Sequence, residues 1–394
     1  MMNINLKIKT NSIQSFLVLF SCCGIEYINS FMPFISKGLF VLRIALIGIF
    51  LLSDMQNMKR TSHVMWIVNL FCGYIILVSL LNRVDILYVF RSLSVPYLMA
   101  YYIDLQAKKS RLYNTIKIWE NYLLVLVILD LITMILFPNG LYNTDIYSLN
   151  WFLGYKTARF PFVILTCILA EIIARKENKF FKANAAYLVS FITVLKSSAT
   201  AALLSFGFMA AILIISRQQN REHKWKQKIL SSVLDYRLII PAYGFVTFMT
   251  IVANASPIMV NFIESIGKDP TLTTRTYIWA NAVKLIKNSI FFGYGYLTPD
   301  QYRQLLGSVF FSSPHNMVLS LLMIGGVVCL LLYLILVVET WKKSKFSQVG
   351  FICTIGMLAM LFVGITSSTM LFTLSGFAVF VLSSDMNLIS NDFR

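Results

Sequence analysis

Thr273-Thr274-Arg275-Thr276-Tyr277-Ile278-Trp279 opens an amphipathic run that reaches Phe292, Gly293-Tyr294-Gly295-Tyr296 follows it, and Ser313-Pro314-His315-Asn316 leads back into apolar sequence. All three lie in one long polar interruption, from about Pro257 to His315. On both sides the chain is a succession of apolar runs. It reads as a scaffold of membrane spans that holds this loop on one face. The expected divisions are residues 1–256 (spans one to nine), 257–315 (the loop) and 316–394 (spans ten to twelve).

Composition sets the class. Of 394 residues, 58% are hydrophobic, and the mean hydropathy is +0.72. That much apolar surface is expected of an all-α polytopic membrane protein. Apolar runs long enough to cross a bilayer are expected at 13–35, 38–53, 64–82, 86–103, 116–137, 158–174, 183–198, 199–216, 238–256, 316–338, 349–366 and 369–385. Between the seventh and eighth stand only Lys196-Ser197-Ser198, so these two read as a hairpin with a very tight turn. The first run lacks a small-residue cleavage site behind it and reads as a retained span.

The formal charge of +17 comes from 34 Lys and Arg against 17 Asp and Glu. It argues for loop charges that set topology rather than for a nucleic-acid partner. With twelve spans, every short loop on one side is basic, including Lys59-Arg60, Lys108-Lys109, Arg175-Lys176 and Lys342-Lys343. That side is expected to be cytoplasmic, with both termini, and the long loop to lie outside. Arg217 to Lys228 reads as a lipid-facing basic cluster. Six cysteines, at 22, 23, 72, 167, 329 and 353, fall in apolar runs without metal-ligand spacing. They are expected as buried thiols, with no disulfide, metal or cofactor. Neither a phosphate-binding glycine loop nor a zinc-protease motif occurs.

Three arginines, Arg43, Arg91 and Arg159, fall in the outward halves of expected spans. A charge within a span usually faces a cavity or a partner. Together they suggest a cationic, water-filled outer chamber, with Glu26 and Asp130 as possible partners; alternatively Arg43 and Arg159 reach to the headgroups.

In the loop, Ile278, Trp279, Ala282, Val283, Leu285, Ile286 and Ile290 fall mostly on one helical face, and Asn281, Lys284, Lys287 and Asn288 on the other. The pattern predicts an interfacial helix. With Thr274 as its N-cap, free N–H groups and the Arg275 guanidinium converge on a place for phosphate or pyrophosphate, unless Arg275 is a plain loop arginine. Gly293 and Gly295 end the helix and permit close backbone approach. His315 is the one histidine outside the basic loops, at the head of a helix. There a neutral ring is favoured, able to accept a proton from a hydroxyl, or simply to cap the helix. Tyr277, Trp279, Tyr294, Tyr296 and Tyr302 could stack on sugars, or form the interfacial aromatic belt.

T-x-R-x-x-x-W at Arg275, then F-F-G-Y-G, then P-H-N is an ordered pattern that resembles the bacterial O-antigen polymerase and O-antigen ligase family, best over Thr271 to Gly326. The resemblance implies a fold like that of membrane-embedded GT-C glycosyltransferases. It also implies a metal-independent, inverting transfer of a glycan from undecaprenyl diphosphate, without cofactor, at the bacterial inner or plasma membrane. By position, Arg275 would bind the diphosphate, His315 would activate the acceptor hydroxyl, and Asn316 completes the H-N motif. The family's Ser-Arg pair is replaced here by Lys196-Ser197-Ser198-Ala199-Thr200. A second cation is therefore expected from Lys196, Arg159 or Arg91, with Lys196 and Arg159 the first choices, and with Trp279, Tyr294 and Tyr296 beside the substrate. Expected partners are lipid-linked oligosaccharides, membrane lipids, and a chain-length regulator and flippase of the same pathway. A repeat-unit polymerase for O-antigen or capsule is the first reading. A ligase, or a flippase without bond chemistry, is the alternative.

Overall fold

The computed structural model describes residues 2–55, 61–144, 149–217, 235–252, 275–307, 313–344, 347–368 and 370–384. Thr273, Thr274 and most of the basic run after Arg217 lie outside them, and so does the proposed N-cap. The described chain is almost entirely helical. Helices α1 (Met2–Cys22), α2 (Glu26–Phe31), α3 (Pro33–Asp54), α4 (His63–Leu81), α5 (Ile86–Lys108) and α6 (Leu112–Leu136) come first. A two-stranded hairpin, β1 (Asn150–Trp151) and β2 (Gly154–Tyr155), precedes α7 (Phe160–Glu177), α8 (Phe181–Lys196), α9 (Thr200–Ile215) and α10 (Tyr236–Val252). Then follow α11 (Arg275–Asn288), α12 (Pro299–Leu306), α13 (Met317–Ser344), α14 (Gln348–Gly364) and α15 (Gly376–Leu382).

Local chemistry sets the helix ends. Ser62 Oγ accepts from the Met65 N–H, and Asp85 accepts from Leu87 and Tyr88. Thr298 and Gln301 form a reciprocal capping box at α12. Each satisfies amide groups that the first helical turn leaves without partners. At the centre lies α7, buried without interruption from Phe160 to Ala174. It packs against α6, α8 and α14, while α13 bridges α4 and α14. Burial on all sides explains why α7 carries no amphipathic stripe.

Among the described residues, five helices are long and apolar enough to cross a membrane: α3, α4, α5, α6 and α13. Shorter apolar helices lie at Asn11–Cys22, Thr200–Ile215, Tyr236–Ile251 and Gln348–Gly364. The chain is thus an all-α, multi-pass membrane protein. Several expected boundaries move. The run 13–35 is not one span: α1 stops at Cys22, and Pro33 starts α3 at a position where its missing N–H costs nothing. Arg43 therefore sits midway along α3 rather than in its outward half, and Glu26 begins the connecting α2. The run 369–385 is a 3-10 turn at Met370–Phe372 followed by the seven-residue α15. The chain doubles back so tightly that a Cβ on Gly376 would collide with the Leu371 carbonyl. The expected hairpin at Lys196 is present: α8 and α9 are joined by residues 197–199, with Ser198 at a left-handed φ of 55°.

Candidate functional site

Three elements build the site: α11, the Ile290–Tyr296 segment and the head of α13. On α11, Ile278, Trp279 and Ala282 are fully buried, whereas Lys284 and Lys287 are exposed. The amphipathic pattern is as expected, but its apolar face packs on α13 rather than on lipid. Trp279 is therefore no stacking surface. Its indole N–H donates to the Pro314 carbonyl at 2.9 Å, which fastens α11 to the turn that carries His315.

That turn is strained. His315 has a φ of 51°, a left-handed conformation unusual for a residue with a Cβ. Asn316 follows as an N-cap. Its Oδ1 accepts from the Leu319 N–H at 3.0 Å, and its Nδ2 donates to the Ile365 carbonyl at 3.0 Å. Fully buried, Asn316 positions the turn and offers nothing to a ligand. The strain at His315 is thus held from both sides, by Trp279 on Pro314 and by Asn316 on α14.

His315 and Arg275 are brought together. Burial lowers the His315 pKa to about 4, and the charge of Arg275 adds to the shift. The ring is neutral at pH 7 and has a proton-accepting nitrogen. Arg275 is half-buried at the first turn of α11, and burial lowers its pKa from the usual arginine range. Among the described residues, no carboxylate is paired with it. A partly desolvated guanidinium at a helix start, beside a neutral imidazole, suits an anion next to a group that must lose a proton.

The Gly-Tyr-Gly-Tyr segment does more than end a helix. In mid-course α13 breaks at Gly325 (φ −144°, ψ 23°) and Gly326 (φ 63°, ψ −158°). The carbonyls freed there all find donors. Tyr294 N–H reaches the Met323 carbonyl at 2.7 Å, Gly295 N–H reaches Ile324 at 2.9 Å, and Tyr74 Oη donates to Gly325 at 2.7 Å. In return, the Val327 N–H donates to Ile290 at 2.8 Å. Irregular backbone within a span survives only when protein satisfies it in this way. Glycine is required by contact. A Cβ on Gly293 would lie 2.6 Å from the Met323 carbonyl, and one on Gly326 would strike the backbone of Phe291 and Ile290. The loop is therefore plugged into the broken helix, and sequence reasoning missed this. Two adjacent glycines inside an apolar run were the available signal.

Tyr294 Oη donates to the Leu285 carbonyl at 2.7 Å, so it holds the end of α11. Tyr296 is tied by its N–H to Ser79 Oγ on α4 at 2.9 Å. Its half-buried ring lies between Phe372 (centroids 4.9 Å apart) and Tyr88 (5.9 Å). Beyond Tyr88 is a cleft of about 240 Å³ lined by Arg43, Arg91, Ser36, Asn29 and Ser92 among others. Two of the three span arginines thus share a chamber. Arg159 does not join them. It is buried against Asp130 at 2.7 Å, donates to the Lys156 and Gly154 carbonyls, and lies over the Trp151 ring. Every nitrogen of that guanidinium is engaged within the protein. Lys196 is exposed at the α8–α9 turn. Beyond this turn, Ser205 on α9 donates to the Ala359 carbonyl of α14.

Residues 185–334 match the family model described as O-antigen ligase. The matched segment runs from α8 through the loop to the first two-thirds of α13, and so contains Lys196, Arg275, the Gly-Tyr-Gly-Tyr plug and His315. No curated protein matches the chain.

Proposed function

We propose that this chain, a member over residues 185–334 of the O-antigen ligase family, is a polysaccharide polymerase. It joins oligosaccharide repeat units carried on undecaprenyl diphosphate at the outer face of a bacterial inner or plasma membrane. The observation that carries this reading is a buried, neutral His315 on a braced turn within reach of the Arg275 charge.

The step is a direct displacement. His315 takes the proton of the acceptor sugar hydroxyl. The oxygen forms a bond to the anomeric carbon of the donor, and the bond from that carbon to the diphosphate breaks. The electron pair leaves on the diphosphate, where Arg275 offsets the growing negative charge. Attack opposite the leaving group inverts the anomeric centre, and two side chains supply the proton transfer and the charge, with no metal assigned a part. Lys196 is the proposed second cation. In this reading the layout is multi-pass and GT-C-like, with residues 257–315 as the extracytoplasmic loop and both termini cytoplasmic. A chain-length regulator and a flippase of the same pathway are the proposed partners. The description of the matching family favours a second reading, a ligase: the same chemistry with a lipid-anchored core sugar as acceptor.

The deciding experiment is glycan length on whole cells carrying His315→Ala at normal protein level. The expected result is loss of polymer with single repeat units accumulating on the lipid carrier. Unchanged polymer removes His315 from the mechanism. Intact polymer that is no longer attached to its final lipid selects the ligase.

A further inference from the structure

Arg43 is only 5% exposed, midway along α3. Its Nε donates to Ser94 Oγ at 2.9 Å and one terminal nitrogen to the Ser21 carbonyl at 2.6 Å. These partners are neutral. Among the described residues no carboxylate pairs with it, and a second cation, Arg91, faces the same cleft. Arg91 stands near the N-terminal end of α5, exposed, with a hydrogen bond to Ser36 Oγ at 2.5 Å. Both arginines line the 240 Å³ cleft, together with Ser36, Asn29 and Ser92. A buried charge without a counter-ion is costly, and two like charges facing one cavity raise the cost. A ligand with negative charge and many acceptor oxygens would remove it.

The cleft is distinct from the Arg275 site. Neither Arg275 nor His315 lines it, and a row of rings, Phe372, Tyr296 and Tyr88, ends at its wall. We propose that the Arg43–Arg91 cleft is a second binding site for a lipid-borne phosphate or diphosphate. This rests on the reading above, in which two lipid-linked glycans meet and only one diphosphate is cleaved at Arg275. The cleft holds the diphosphate that stays intact, and the half-buried aromatic row at its wall offers sugar-stacking faces. The same chemistry could come from a phospholipid headgroup, so the two sources must be separated.

The test uses the full chain in phosphatidylcholine nanodiscs, with undecaprenyl diphosphate as probe and native mass spectrometry as readout. Wild type is expected to bind two probe molecules. Arg91→Gln, whose exposed side chain can be changed without touching the core, is expected to weaken one of them roughly tenfold or more, the worth of charged hydrogen bonds. Arg91→Lys should restore it in part. Arg43→Gln should act at the same site, provided it still runs as wild type on size exclusion. Arg275→Gln should weaken the other site and leave this one. Displacement of one probe by phosphatidylglycerol would assign the cleft to bulk lipid phosphate. Resistance to displacement assigns it to the lipid diphosphate. Binding of a single probe, whichever arginine it depends on, overturns a second site. Undiminished polymer in Arg275→Gln and His315→Ala cells would instead sink the catalytic reading, and a stoichiometry of two would survive that result.

Discussion

Arg159 and Arg43 are both buried guanidinium groups in helical surroundings, yet they sit in opposite kinds of place. Around Arg159 the protein has supplied everything: the Asp130 carboxylate, two backbone carbonyls and the Trp151 ring. Around Arg43 it has supplied two neutral oxygens and an open cleft shared with Arg91. Elsewhere the first pattern recurs. Glu171 takes Arg175 and Arg217, and Lys108 takes Asp54 and Asp104. Those clusters set each charge against an opposite one from the protein itself, and they hold helices together. Arg275 belongs with Arg43: partly buried, and without a carboxylate among the described residues. The lesson is that a charge in a span is informative only together with its counter-charge. The answered charges brace the fold, and the cations left without a carboxylate among the described residues are the ones whose burial an anion would make less costly.

This contrast can be broken most decisively at His315 and Asp130. His315→Ala should cost about 10²- to 10⁴-fold in turnover, the usual contribution of general base catalysis, with the melting temperature nearly unchanged. Asp130→Ala should do the reverse. Leaving Arg159 buried and unpaired costs about 3–5 kcal/mol, read as a large drop in the melting temperature of the solubilised protein. Asp130→Leu combined with Arg159→Met should recover most of that loss. If Asp130→Ala leaves stability intact while abolishing polymer, Arg159 belongs with Arg43 and Arg275 after all.

A smaller effect tests the plug. Gly326→Ala forces a Cβ into the Ile290–Phe291 backbone at a left-handed φ. It should cost on the order of 1–3 kcal/mol of local strain, and should reduce polymer by displacing the Gly-Tyr-Gly-Tyr segment from α13. Tyr74→Phe removes the donor to the Gly325 carbonyl and should cost about 1 kcal/mol. Limited proteolysis at the loop, with melting temperature, would read both. Equal protection of wild type and Gly326→Ala would show that the break does not hold the loop.

How much of this was legible in the sequence follows from what each signal reports. Apolar runs located most helices, and the amphipathic face of Ile278, Trp279 and Ala282 was readable because helical periodicity records which side is buried. It does not record what covers that side, so the helix expected on the membrane surface packs on α13 instead. The order Arg275, Trp279, Gly293, His315 was legible as spacing, and the Arg275 charge does reach His315. The division of Arg43, Arg91 and Arg159 was not. Asp130 was named as a possible partner, but which arginine it would reach depends on tertiary placement of the β1–β2 hairpin. Nor was the break in α13 readable with assurance. A glycine costs a helix only about 1 kcal/mol, and the backbone contacts that force the break come from residues more than thirty positions away.

The smallest expected effect is also the one that ties Arg275 to His315 most directly. In the free protein His315 lies at about pH 4, below its ordinary value of 6.5, by burial first and by the Arg275 charge second. Between those values the unfolded chain binds the proton and the folded chain does not. The stability contributed by the neutral ring is therefore full above about pH 6.5 and declines as the pH falls toward 4. A bound diphosphate offsets the Arg275 charge and removes the Coulombic part of the shift, while burial persists. The His315 pKa then rises toward its ordinary value, which makes the ring a stronger base when substrate is present. The acidic limb of kcat/KM, which reports the free protein, should accordingly lie below that of kcat, which reports the complex. Arg275→Gln should raise the kcat/KM limb and abolish the difference between the two. Coincident limbs in the wild type would mean that donor binding leaves Arg275 uncompensated, and that the diphosphate is held by other cations, with Lys196 the first to replace.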